Sequence, residues 1–306
     1  MAPSGLTYDR DLIGYGAHPV DPKWPGGARV ALQISLAYET GGEENLLHGD
    51  SRSEGMLTDI GWPAAPGARS VLVEQIYEYG SRRGVWRLLR IFAERGIKVG
   101  VLAVGAALER NPEVAAAIVE AGHEVVCHGY RWIDYQDLPE DVEREYVRRG
   151  VESIIKATGS RPLGWMTGRP GPNTRHLVVE EGGFLYDHDA LNDELPYWVT
   201  VGGTPHLAVP YSYECNDSPF SEIGGFNTGE EYFAYHKDAF DMFYAEGETE
   251  PKMMAMAVHD RLMGRPARAA GLARFLDYVL KHDKVWICTG IEIARHWIEH
   301  HPYRAA

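Results

Sequence analysis

Only three cysteines occur, Cys127, Cys215 and Cys288, widely spaced and with no C-x-x-C pair among them. An odd and scattered set provides neither a disulfide framework nor a cysteine zinc knot, and reads as three reduced thiols. Long apolar runs are missing as well: nowhere do about 18 apolar residues follow one another, as a membrane-spanning helix requires. The opening residues, MAPSGLTYDRDLIGYG, carry acidic side chains early and lack the apolar stretch of a secretory leader. A soluble cytoplasmic protein is the expectation. Basic residues are the minority, 30 Lys and Arg against 44 Asp and Glu, for a formal charge of −14. That balance disfavours nucleic acid and anionic membrane surfaces as partners and leaves a small, weakly charged ligand. No phosphate-binding glycine fingerprint occurs; Gly41-Gly42 and Gly224-Gly225 signal tight turns only.

What is present is enough apolar material for a large core, 44% hydrophobic and 11% aromatic over 306 residues, read as a single domain over 1–306. Strand-length apolar runs, RVALQISL (29–36), KVGVLAVG (98–105), HEVVCH (123–128), PLGWMTG (162–168), HLAVPYS (206–212), KMMAMAVH (252–259) and KVWICTG (284–290), read as buried strands. Helix candidates lie between them, at 69–80, 84–95, 112–122, 139–159, 172–183, 230–247 and 266–281, with Pro or Asn at their starts and often Gly at their ends. This alternation predicts an α/β fold, a deformed (β/α) barrel of about seven parallel strands. The stretch 37–68, rich in Gly, Pro and charge, has no clear period and is read as a functional or interface loop.

A parallel barrel builds its active site at the C-terminal strand ends. Ionisable residues recur there: Tyr38-Glu39-Thr40, His128-Gly129-Tyr130, Arg169 to Asn173, Asp187-His188-Asp189 and His259-Asp260-Arg261.

In these blocks the chain resembles the polysaccharide deacetylase (NodB-homology) family, and within it the allantoinase-like branch. The resemblance is carried by DRDLIGYG (9–16), YETGGEENLLHGD (38–50), YEYGSRRGVWRLL (77–89), GHEVVCHGYRWIDYQ (122–136), GRPGPNTR (168–175), EEGGFLYD (180–187), NDELPYW (192–198) and HDRLMGRPAR (259–268). It implies a barrel of the NodB type, a hydrolase, and a homo-oligomer, dimer or tetramer. In the deacetylases two adjacent acids and two histidines four apart serve a divalent ion. Here the acids match Glu39 and Thr40, and the histidines match His128 and Trp132. A threonine hydroxyl is a poor ligand and an indole is none, so no inherited metal site is expected. Trp132 looks like a feature of the allantoinase branch, whereas Ala37, Thr40, His188 and Leu191 depart from that branch at expected pocket positions.

The expected catalytic residues are Glu39, His128, His259 and Arg169. Glu39 is the base, with burial expected to raise its pKa toward neutrality. His259 is the acid for a leaving nitrogen. His128 polarises a carbonyl or orients Glu39, or is simply a hydrogen-bonded core histidine. Arg169 orients the acid or binds a carbonyl through its planar fork. Substrate contacts are expected from Tyr38, Thr40, Trp132, Asn173, Asp187, Tyr197 and Trp198: aromatic faces for a planar ring, and in Asn173 a donor and acceptor that is equally suited to cap a helix. No cofactor is expected, although His128 with Glu39, Asp187 or His188 leaves open a replacement Zn or Mn site. The leading reading is C–N hydrolysis in an allantoin-type cyclic amide. Next stands an imidase acting on hydantoin-, succinimide- or maleimide-like rings. A metal-dependent carbohydrate deacetylase and an inactive small-molecule binding protein follow.

Overall fold

The computed structural model describes residues 10–60 and 64–305. The first residue of DRDLIGYG and positions 61–63 of the 37–68 segment lie outside the described residues. The strands are β1 (Val30–Tyr38), β2 (Gly100–Ala103), β3 (Glu124–Cys127), β4 (Gly164–Trp165), β5 (Tyr186–Asp187), β6 (Tyr197–Val201), β7 (Thr204–Ala208), β8 (Lys252–His259) and β9 (Val285–Cys288). Around them pack α1 (Val71–Tyr79), α2 (Val85–Ala93), α3 (Gly105–Arg110), α4 (Pro112–Glu120), α5 (Glu140–Thr158), α6 (Thr174–Glu181), α7 (Gly229–Glu246), α8 (Pro266–Val279) and α9 (Gly290–His300).

The strands form one curled sheet in the order β6-β7-β5-β4-β3-β2-β1-β8, with β9 also on β1. Every pairing is parallel except β6 against β7. A deformed barrel is therefore what forms. It stays open, because β8 and β6 at the two ends of the order do not pair with each other.

β1 shows how the sequence builds both faces. Val30, Leu32, Ile34, Leu36 and Tyr38 join a core with helix residues such as Leu88, Phe92 and Ile154. Ala31 and Ala37 belong to separate interior clusters, the latter with Leu102, Val126, Met166, Tyr211 and Ala257. Successive side chains point to opposite faces of a strand, so Glu39, two residues past Ala37, continues the interior set. β1 and β8 are long runs buried on both faces, and burying each Val, Leu, Ile or Met contributes about 1.5–3 kcal/mol.

The exceptions to the sequence pattern are local. PLGWMTG supplies only the two-residue β4, and HLAVPYS begins inside β7, which starts earlier, at Thr204. β5 and β6 are not among the expected strands; β6 forms a hairpin with β7 across Gly202 and Gly203, whose φ values of 55° and 85° fit a two-residue turn that glycine favours. α3 and α9 are also unexpected, and α9 starts at a capping box in which Thr289 and Glu292 exchange hydrogen bonds. The described part of 37–68 is held down rather than open. Glu43 bridges Trp132, Asn45 caps a short turn at Leu46–His48, and buried Arg131 donates to the carbonyls of Gly42 and Glu43, both at 2.9 Å.

Candidate active site

Three strand ends bring three expected residues together. Glu39 follows β1, His128 follows β3 and His259 closes β8, where it is in register with Ala37. Glu39 Oε1 lies 3.2 Å from His128 Nε2 and 3.7 Å from His259 Nε2, and its Oε2 lies 2.6 Å from Arg261 Nη1. Glu39 is 1% exposed and Arg261 is fully buried.

The expected rise in the Glu39 pKa is not what the site produces. Burial does push its carboxyl up, but Arg261, His259 and His128 together outweigh that and hold it well below the usual carboxylate range. The charge of Arg261 beside it favours the ionised form of Glu39. His128 donates from Nδ1 to the Met166 carbonyl at 2.7 Å, which turns Nε2 toward Glu39. His259 is fixed from behind: Nδ1 donates to Asp217 Oδ1, and the backbone N–H groups of His259 and Met263 donate to Asp217 Oδ2. Burial pulls the His259 pKa down, but the carboxylates of Asp217 and Glu39 prevail and raise it.

Asp217 and Arg261 were not among the expected site residues. Arg261 stood in a quoted motif, but only its burial shows its role. Asp217 lies in the aperiodic stretch between β7 and α7, brought beside β8 by the isolated bridge of Asn216 to Ala257 and by its own N–H on the Ala257 carbonyl at 3.2 Å.

Trp132 and Arg169 border the same site. The Arg169 guanidinium lies over the Trp132 ring at 4.1 Å and that of Arg261 at 5.1 Å. Arg169 also donates to Glu54 and to the Trp132 carbonyl, both at 3.0 Å, tying the 37–68 segment to the rim. The indole is 4% exposed, so what it presents beside Glu39 is largely covered by cations.

Several expected substrate contacts point elsewhere. Tyr38 faces the outer layer, as alternation along β1 requires, with its hydroxyl 2.8 Å from Ser81 Oγ. Thr40 turns to the Tyr77 carbonyl at 2.8 Å and to Asp260 Oδ2 at 3.1 Å. Asp187 is held by a two-pronged Arg175 pair at 2.8 and 3.0 Å and by His206 at 3.0 Å. Tyr197 donates to Asn192 and Trp198 to the His301 carbonyl; both line a separate groove of about 1490 Å³ bounded also by residues 10–17 and β8. Of its lining residues, Tyr211 also packs with Ala37, and Tyr213 donates to the Gly168 carbonyl at 3.2 Å. Leu191, 56% exposed, lines the groove too. Asn173 stands at the N-cap of α6 without a capping hydrogen bond from its side chain.

The donor set does not suit a divalent ion. Thr40 is turned away, Trp132 offers no ligand, and the second Glu39 oxygen is paired with a guanidinium. The replacement set is not assembled either. Asp187 is engaged as above, and His188 is sealed in the interior with Nδ1 on the Val209 carbonyl. Among the described residues no group of three or more His, Cys, Asp or Glu could hold a metal ion.

A sequence profile of the family described as "Polysaccharide deacetylase" matches residues 68–178. A "putative polysaccharide deacetylase" of Schizosaccharomyces pombe (strain 972) is 39% identical, over 97% of this chain and 99% of that protein. The chain belongs to this family. The crystal structure of a probable polysaccharide deacetylase from Pseudomonas aeruginosa PAO1 is 52% identical with a TM-score of 0.95, covering 97% of this chain and 100% of that one. The crystal structure of Puue allantoinase is 51% identical, again with a TM-score of 0.95, covering 98% and 100%. Within the family the chain stands in the allantoinase-like branch.

Proposed function

We propose that the chain hydrolyses a C–N bond in a small cyclic amide, with an allantoin-type ureide as the first substrate class. The observation that carries the reading is the Glu39 carboxylate, met by two imidazoles at one oxygen and a guanidinium at the other. Ring opening needs a base for water, donors for the oxyanion and an acid for the departing nitrogen. Glu39 takes the proton of the attacking water. Arg261 and His128, the latter doubly protonated with its Nδ1 proton on the Met166 carbonyl, meet the negative charge that grows on the carbonyl oxygen. His259, oriented by Asp217, delivers the proton from Nε2 to the nitrogen as the C–N bond breaks.

A carboxylate of depressed pKa is a weak base at rest. Charge building on the substrate oxygen draws Arg261 and His128 away from Glu39, so its basicity rises as the transition state forms. Similarity to Puue allantoinase supports the ureide.

A second reading, an imidase, is favoured by Ala37, which packs with Leu102, Val126, Met166, Tyr211 and Ala257 and has no polar side-chain atom of its own to offer a ureide side chain. Comparing turnover of allantoin with that of hydantoin, succinimide and maleimide decides between them. Allantoin as the sole substrate removes the imidase; cyclic imides without allantoin remove the leading reading. Metal-dependent release of acetate from chitin oligomers would replace both.

A further inference from the structure

Asp260 is wholly buried beside the proposed base and has no part in the steps above. Its seat is made of backbone. The helix between α1 and α2 widens into a π-turn at Gly80–Gly84, and a Cβ on Gly80 would lie 2.7 Å from Asp260 Cγ. A Cβ on Gly84 or on Gly264 would overlap the Asp260 carbonyl oxygen. π-turns of this kind are frequent at functional sites, and this one leaves room for one particular carboxyl.

Hydrogen-bond stoichiometry bears on the state of that carboxyl. Arg261 N–H donates to Asp260 Oδ1 at 2.7 Å. Thr40 Oγ1 lies 2.8 Å from the Tyr77 carbonyl oxygen and 3.1 Å from Asp260 Oδ2. A hydroxyl has one proton to give, and a carbonyl only accepts. With the Thr40 proton on the nearer Tyr77 carbonyl, the second contact is satisfied when Asp260 carries a proton of its own and donates it to Thr40.

We propose that Asp260 is a neutral carboxyl and a positioning residue: through Thr40 and its bond to Arg261 N–H it seats the Arg261 guanidinium against Glu39. The proposal rests on Glu39 as the base. The charged and titratable groups facing Asp260 are Glu39 and Arg261 at the rim, His259 next to it in β8 and Tyr38 from β1. If ionised, Asp260 would stand 3.8 Å from Arg261 Nη1 and divide that cation between two carboxylates. Burial, aided by Glu39 and opposed by Arg261 and Thr40, pushes its pKa up to about 7. Rising pH through neutrality therefore loosens the grip of Arg261 on Glu39.

Asp260→Asn preserves the neutral pattern, with Oδ1 accepting from Arg261 and Nδ2 donating to Thr40. Its turnover of the best cyclic amide at pH 6 is expected within about threefold of the parent, because no hydrogen bond is lost, while Asp260→Ala falls about ten- to hundredfold. The ionisation near neutrality vanishes from the pH–rate profile of Asp260→Asn. Melting temperature provides a readout without substrate. The folded-state pKa is raised above that of the unfolded carboxyl, so the parent loses stability as pH rises from about 4 through 7. Asparagine does not titrate, and its melting-temperature advantage over the parent grows between pH 5 and 8. A constant difference over that range, or an Asp260→Asn turnover at pH 6 as low as that of Asp260→Ala, overturns the proposal. Should Glu39→Gln keep full turnover, the base assignment falls, and the melting series still decides the state of Asp260.

Discussion

Asp217 Oδ1 lies 2.6 Å from His259 Nδ1. This contact fixes the tautomer, leaves Nε2 facing the pocket, and raises the proton affinity of the ring, so that His259 stays an acid to higher pH. Asp217→Asn is expected to lower kcat by roughly 10²–10⁴-fold, the usual worth of a positioned acid or base. Its alkaline limb moves to lower pH, because the support that raised the His259 pKa is gone. The pH dependence of kcat checks both. An unmoved alkaline limb would take the acid role from His259.

Glu39→Gln removes the proposed base and also strips buried Arg261 of its carboxylate partner at 2.6 Å. Turnover is expected to fall by roughly 10²–10⁴-fold. Leaving a buried cation uncompensated costs about 3–5 kcal/mol, read by urea unfolding at pH 7. The Glu39 pKa is held below its usual 4.5 in the folded state, so its stabilisation is present above that value and is lost as pH falls. The stability gap between parent and variant accordingly narrows in acid. Retained binding of a cyclic amide without turnover would be consistent with a base; unchanged turnover would not.

Trp132→His rebuilds two histidines four apart at His128. It is expected to bind no zinc tightly, since Thr40 faces Asp260 and Arg261 keeps its cation at Glu39. The parent is expected to keep its turnover after chelation for the same reason. Zinc content and activity before and after chelation test the pair. Stoichiometric zinc in the variant would mean that the ring of Trp132 alone had kept the metal out.

Arg169→Lys keeps a charge but loses the planar fork that joins Glu54, the Trp132 carbonyl and the indole face. A charge-assisted hydrogen bond of this kind is worth about 1.5–3 kcal/mol. The expected result is a higher KM with a smaller change in kcat, because the residue braces the rim instead of touching the Glu39 oxygens. Equal losses in kcat and kcat/KM would place Arg169 in the transition state.

Long uninterrupted apolar runs made β1 and β8 legible, and their ends delivered Glu39 and His259. β4 was legible only in outline, being two residues long, and β5, equally short, lay outside the expected runs. β6, YWVTV, does have strand-forming residues, but it is short and partly exposed along its length, and its Tyr197 and Trp198 invite reading as pocket aromatics instead. Alternation along β1 held the information that Tyr38 and Glu39 point to opposite faces, and it argues against Tyr38 as a pocket residue without any structure. Asp217 carried no such signal: its position depends on a loop path that no local periodicity encodes. The Glu39 pKa went the other way from expectation because burial could be foreseen from the strand, but the guanidinium two residues past β8 could not.

Arg131 binds the Gly42 and Glu43 carbonyls and pairs with Asp50 at 2.5 Å, so the path of the chain after Glu39 is settled when the protein folds. A small ring has few atoms, and even the best tiny ligands gain at most about 1.5 kcal/mol per heavy atom. Ordering a mobile loop costs about 1–2 kcal/mol per residue in backbone entropy, which over a dozen residues would cancel all the affinity such a ring can have. By tethering that stretch in advance, Arg131 lets a ligand of fewer than about a dozen atoms be held by contacts alone.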